Sequence, residues 1–279
     1  MAPSETPAEA VPLPRRANIL GLRISVTDYN EATRCIIDRA RRRQRMLVAA
    51  LDVHTVIQAQ HDPAFAAALN TFDLLAPDGQ PVRWGLQLTR QAQLDERVYG
   101  PTLMLRVCER AAHEGLPVFL YGSREGTLHA LQAKLQQRLP ALRIAGLRAG
   151  RFRALTAQEQ AADAAEINGS GAALVLVGMG SPAQQWWSFH MRSRVSAPIM
   201  AVGAAFDFHA GLVPQAPPWM QDRGFEWLFR LAHEPHRLWR RYLLITPQYV
   251  PLIAAQALGL REFPEAAHPD PGANRECPG

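Results

Sequence analysis

At 279 residues the chain has room for one sizeable α/β core, or for one core with a small appendage. Lys and Arg outnumber Asp and Glu by 30 to 25, a mild excess carried almost wholly by arginine, so where the charge sits says more than its sum. Three cysteines, Cys35, Cys108 and Cys277, form neither an even set nor a C-x-x-C pair, which argues against a disulfide framework and a zinc site and fits a reducing cytosol.

From the N-terminus, Met1 to Asn18 is rich in Pro, Ala and Glu and lacks the apolar centre of a signal peptide, so a disordered tail is expected. Short apolar runs that suit buried strands follow at Met46 to Leu51, Phe72 to Ala76, Pro117 to Tyr121, Leu174 to Val177 and Pro198 to Val202, each with a helical stretch behind it. Thr156 and Glu159 form a capping box before a helix over Ala157 to Asn168, with Gly169 expected to end it. Ser181-Pro182 predicts an N-cap with proline in the first helical position. Alternating β and α elements predict an α/β, Rossmann-like, mostly parallel sheet with flanking helices. Past Gly211 the pattern changes to an Arg- and Trp-rich helical appendage. The expected division is a tail over 1–18, an α/β domain over 19–220, a basic amphipathic appendage over 221–262 and a second Pro- and Gly-rich tail over 263–279. The most apolar late window, Tyr249 to Leu260, is interrupted by Pro251 and Gln256 and falls short of the roughly 18 to 20 residues of a spanning helix. A cytoplasmic protein, soluble or peripheral to the membrane, is expected.

Ligands of parallel sheets bind beyond the strands' carboxyl ends, which directs attention to a few segments. In Pro77-Asp78-Gly79 the carboxylate of Asp78 can serve as a general base, or merely cap the next helix. Gly178-Met179-Gly180-Ser181-Pro182-Ala183 formally matches a dinucleotide fingerprint, but the next carboxylate after Gly180 is Asp207 and earlier strands precede it. An anion site at a helix start survives that objection, as does plain strand-on-helix packing. Gln184 and Gln185 lie in the first turn of that helix, within reach of a base or sugar. Phe206, Asp207 and His209 fall between Gly203 and Gly211, where acid and imidazole can pair or orient a ligand. No set of residues here suggests a metal, and no nucleic-acid module is recognisable. Arg230, Arg237, Arg240 and Arg241, at spacings of 7, 3 and 1, share one side of a helix among Trp227, Trp239 and several leucines. Such a face can clamp phosphate, lie on anionic lipid, or simply be solvated.

Taken in order, these segments resemble the WecG/TagA/CpsF family of bacterial glycosyltransferases. The blocks that carry it are Asp73 to Gly79, Glu96-Arg97-Val98-Tyr99-Gly100, Leu120-Tyr121-Gly122, Val177 to Gln185, Gly203 to Gly211, Ala216 to Trp219 and Gly224 to Tyr242, within a span from about Gly21 to Leu244. The resemblance implies inverting, metal-independent transfer, without a cofactor, from a UDP-sugar to a sugar on undecaprenyl diphosphate in surface polysaccharide synthesis. It implies Asp78 as the base and Asp52, Gly79, Arg97, Gly122, Gly178, Gly180, Ser181, Gln184, Gln185, Phe206 and Asp207 around the substrates. It also implies that the appendage closes over the site at the inner face of the cell membrane, bringing Arg230, Arg237 and Arg240 to diphosphate charge; a free appendage would leave a face for a second copy of the chain. One departure stands out: where family members commonly carry Thr-x-Asn, this chain reads Ala50-Leu51-Asp52. Two other readings stay open, an NAD-type enzyme resting on the glycine fingerprint and a catalytically silent membrane protein of the same fold resting on that departure.

Overall fold

A computed structural model describes residues 10–266. The chain opens with a hairpin, β1 (Arg16–Ile19) and β2 (Leu22–Ser25). It continues through α1 (Tyr29–Arg41), β3 (Leu47–Leu51), α2 (Val53–His61), α3 (Pro63–Leu69), β4 (Leu74–Pro77), α4 (Gln80–Leu88) and α5 (Gly100–His113). The second half runs β5 (Val118–Gly122), α6 (Glu125–Arg138), β6 (Ile144–Arg148), α7 (Ala157–Gly169), β7 (Leu174–Gly178), α8 (Ala183–Met191) and β8 (Ile199–Ala201). Then come α9 (Ala205–His209), α10 (Pro218–Asp222), α11 (Glu226–His233), α12 (Pro235–Arg240), a π-helical turn Arg241–Ile245, a 3-10 turn Thr246–Gln248 and α13 (Tyr249–Ala257).

Strands β3 to β8 form one sheet in the order β4-β3-β8-β7-β5-β6, parallel at every pairing, so the α/β Rossmann-like class holds and helices follow it at the C-terminus. The inner strands read as continuous apolar runs because both their faces are covered. Along β7, Val175 and Val177 face one apolar cluster, with α2, α3, α8 and the hairpin, while Leu174 and Leu176 face the other, with α1, α5, α6 and α9. Parallel pairing brings every carboxyl end to one edge, where Asp52, Asp78, Ser123, Gly180 and Gly203 all follow their strands.

Several expectations are corrected. β1 begins at Arg16, inside the stretch assigned to a tail, and the turn at Leu20 and Gly21, with φ of 50° and 80°, has the two positive values of a tight hairpin. At the other end Phe263 is buried and its carbonyl accepts a 2.8 Å hydrogen bond from Asn18 Nδ2. Residues 10–15 of the expected tail also run along the core, with Val11 N donating to Asp38 Oδ2 at 3.0 Å, so of the expected tails 1–9 and 267–279 lie outside the described residues. Helix α7 has its capping box, but the positive-φ glycine behind it is Gly171, two residues past Gly169. Helix α8 starts at Ala183 with Pro182 in the N-cap position, following a cis Ser181–Pro182 peptide.

The C-terminal helices are tied back to the core. Tyr249 and Ile253 of α13 are buried against Gly85 in α4, and Gln256 bridges Leu20 N and Asn18 O at 3.0 and 2.9 Å. Among the described residues no helix is long and apolar enough to cross a membrane.

Candidate active site

A cavity of about 780 Å³ opens at the carboxyl edge of the sheet, between the strand ends and the arginines of α11, α12 and the π-helical turn. Asp78 stands on its wall because its N–H donates to Leu51 O at 3.0 Å, carrying the parallel ladder one residue past β4, before Gly79 caps α4. Its Oδ1 accepts from Gly100 N at 3.2 Å. Only a glycine allows α5 to start there, since a Cβ on Gly100 would lie 2.9 Å from the Ala50 methyl. Burial pushes the Asp78 carboxyl up to about 7; Arg97 and the Gly100 N–H oppose that rise, and the charges of Glu226 and Asp52 add to it.

Asp52 follows β3 and caps α2, with Oδ1 accepting from Thr55 N and Thr55 Oγ1, both at 2.9 Å, while Oδ2 pairs with Arg241. Burial alone would raise its pKa, but Arg241, His54 and the Thr55 bonds together hold it below the usual aspartate value. The negative charge of Asp52 therefore has a partner within the same chain. Arg97 Nη2 meets Glu226 Oε2 of α11 at 2.7 Å, and its guanidinium lies 4.3 Å from the centre of the Tyr99 ring.

The segment after β7 divides its duties. A Cβ on Gly178 would meet the Phe206 ring at 2.5 Å, and one on Gly122 would meet Met179 Cγ at 2.5 Å, so both glycines permit close packing. Gly180, at φ 78°, has open space beside it and lines the cavity. The Ser181 hydroxyl bonds Thr55 Oγ1 at 3.0 Å and Gln58 Oε1 at 3.1 Å. Gln184 Oε1 accepts from Gly203 N at 2.9 Å and pins the end of β8. Gln185 is 1% exposed and lines the cavity, and neither of its amide atoms is hydrogen-bonded within the protein. Burial raises the Asp207 carboxyl, with Arg237, Arg230 and Arg124 pulling it down and Glu234 pushing it up. His209 does not pair with it; its Nε2 meets Pro101 O at 2.9 Å, and burial favours the neutral ring.

Arg230, Arg237, Arg240 and Arg241 all reach the cavity, as does Asp207, whereas Gly79, Arg97 and Gly122 stand behind its wall. Arg230 and Arg241 are the half-buried pair among the four, each with Nε buried and unbonded, and the Arg230 guanidinium lies 5.5 Å from the Phe208 ring. Sequence reasoning passed over His54, Arg124 and Phe152, which also line the cavity, and the roles of Glu226 and Arg241 as partners of core residues. Phe152 carried no signal; it sits at φ 49° in the loop after β6 with its ring exposed. Among the described residues no group of three or more His, Cys, Asp or Glu is placed to hold a metal ion.

The sequence profile of the glycosyl transferase WecG/TagA/CpsF family matches residues 17–262. The chain belongs to this family. The match is wider than the blocks from Gly21 to Leu244, and takes in the hairpin as well as α13. In this chain both tie the basic helices to the sheet. Membership in a glycosyl transferase family also removes the NAD reading of the glycine fingerprint, whose first glycine is occupied in packing against Phe206.

Proposed function

We propose that the protein transfers a sugar, with inversion, from a UDP-sugar to a sugar carried on undecaprenyl diphosphate, at the inner face of the cell membrane and for surface polysaccharide synthesis, with Asp78 as general base. The observation that carries this reading is the opposition of one raised, partly enclosed carboxylate to four arginines across a single cavity. In a direct displacement the acceptor hydroxyl gives its proton to Asp78 as its oxygen bonds the anomeric carbon. The bond from that carbon to the diphosphate oxygen breaks, and UDP departs with the electron pair. A carboxyl near 7 is well matched to accept a proton at neutral pH. Charge grows on the leaving diphosphate, and guanidinium groups in a shielded cavity are suited to stabilise it. Gln185 offers an unpaired donor and acceptor to a sugar or base, and the exposed Phe152 ring offers a face for stacking.

The lipid end of the acceptor has a counterpart on the same helices. Trp219, Trp227, Leu228, Trp239, Leu243 and Leu244 are all exposed, interleaved with the cavity's arginines. A face of this composition suits an anionic bilayer surface. The test is UDP release by the purified protein with a panel of UDP-sugars and a short-chain polyprenyl-diphosphate sugar, with and without chelator, beside Asp78→Asn. Acceptor-dependent turnover of one donor that survives chelation and is lost in Asp78→Asn supports the proposal. Lipid binding with no turnover of any donor would instead support a silent membrane protein.

A further inference from the structure

We infer that Glu226 is a positioning residue for the transfer: by holding Arg97 it keeps that guanidinium from closing on the Asp78 carboxylate, so the base is free only when α11 is seated. The inference rests on the reading of Asp78 as base. Arg97 and Glu226 meet at 2.7 Å with side chains only 11% and 12% exposed, so the pair is largely shielded from water. Arg97 lies close enough for its charge to act on Asp78, yet the bond Asp78 accepts comes from Gly100 N at 3.2 Å. A guanidinium without Glu226 would turn to the nearest remaining carboxylate, and a paired grip on both oxygens would occupy the lone pair a base needs. The seat of Glu226 is itself fixed against α4, the helix that follows Asp78. Gln80 Nε2 donates to Asp222 O at 3.1 Å, and Gly224, at φ 77°, lies so near Trp84 that a Cβ there would be 3.2 Å from its ring.

The groups facing Asp78 from every side make the direction of the effect plain. Arg97, Tyr99 and the Gly100 N–H come from the start of α5 and the loop before it, Tyr29 from α1, Asp52 from the N-cap of α2 with Arg241 and His54 beside it, and Glu226 from α11. Among the charges, Glu226 and Asp52 act with burial to raise the Asp78 carboxyl and Arg97 acts against them. Neutralising Glu226 removes one raising charge and releases the lowering one.

The experiment compares wild type, Glu226→Gln and Glu226→Asp as full-length protein. It reads kcat and KM across pH, and the titration of the Asp78 carboxyl by carbon-13 NMR, assigned through Asp78→Asn. The expected result is an acid limb near 7 in wild type and one lower by about one pH unit in Glu226→Gln. In that variant kcat falls about tenfold at its plateau while the donor KM holds, and Glu226→Asp restores the limb. A fall in kcat with an unmoved limb would reduce Glu226 to a structural contact and overturn the inference. If Glu226→Gln does not fold, the wild-type titration and Glu226→Asp decide, and an Asp78 carboxyl titrating near 4 in wild type overturns it. Transfer surviving in Asp78→Asn would instead sink the base assignment, a distinct failure.

Discussion

Arg241 in the π-helical turn is ion-paired with Asp52 at the N-cap of α2, joining positions 189 residues apart across the wall of the cavity. Asp52 thus does two things at once, satisfying the first turn of α2 and holding the basic segment down. The two can be separated. Asp52→Asn keeps an oxygen for Thr55 but gives up the charge, whereas Asp52→Ala gives up both. The pair is roughly a quarter exposed, 22% and 30% by side chain, so its loss should cost only about 1 kcal/mol. Loss of the cap should add about 1 kcal/mol more in the alanine variant. Urea unfolding should rank them wild type, Asn, Ala, and trypsin should cut faster at Arg237, Arg240 and Arg241 in both. Because the Asp52 pKa is lowered on folding, its contribution is whole above the unfolded carboxylate range, about 4, and is lost as pH falls through the lower folded value.

Asp78 has the opposite sign. A carboxyl raised to about 7 by burial binds its proton more tightly in the folded than in the unfolded chain. Stability therefore falls as pH rises from about 4 to about 7 on account of this group, and the cost is complete above that. Asp78→Asn should abolish transfer yet be the more stable protein at pH 8, by on the order of 1–3 kcal/mol. The advantage should shrink toward zero at pH 4. Thermal melts of both proteins at the two pH values check this, and a variant less stable than wild type at pH 8 would contradict it.

What could be read in advance follows from the range of the interactions involved. β3, β4, β5, β7 and β8 were legible because strands buried on both faces are unbroken apolar runs. β6 was not, since unlike the other edge strand, β4, its residues are only half-buried, and it carries Gly146, where a Cβ would meet Phe119 at 2.5 Å. The hairpin was hidden by its four-residue strands and a Leu-Gly turn that lacks the usual asparagine at its first position. Asp78 showed itself through a local signal, a Pro-Asp-Gly turn after an apolar run, and the arginines through their spacing. The pairs Arg97–Glu226 and Arg241–Asp52 could not, because their partners lie 129 and 189 residues away and only the fold brings them together. Ser181 was misjudged for a related reason: it looked like a local cap, and its hydroxyl instead bonds Thr55 and Gln58 more than a hundred residues earlier.

The glycines after β7 should separate packing from lining. Gly178→Ala drives a methyl into the Phe206 ring, an overpacking expected to cost about 1–3 kcal/mol and to disturb the cavity floor, so both Tm and kcat should drop. Gly180→Ala meets no neighbour, and its penalty is the backbone strain at φ 78°, about 1 kcal/mol. Equal losses in the two variants would mean that Phe206 yields freely and is no fixed part of the wall.

Leu243 and Leu244 are 56% and 55% exposed on the π-helical turn that also carries Arg241, which leaves two large apolar side chains in water beside the cavity. If that face lies on lipid, each leucine gains apolar burial there that the free protein lacks. Full burial of such a side chain is worth about 1.5–3 kcal/mol, so even partial insertion of both makes a tenfold or larger difference in binding. The double variant Leu243→Gln/Leu244→Gln should therefore sediment with anionic vesicles at least about tenfold less well, while its Tm stays within about 0.5 kcal/mol equivalent of wild type. Kinetics should divide the same way: the KM for a long-chain acceptor in vesicles rises, and kcat with a short-chain soluble acceptor is unchanged. A variant that still binds vesicles as wild type does, or that loses activity on the soluble acceptor, would show that these leucines serve the packing of the appendage rather than its contact with the membrane.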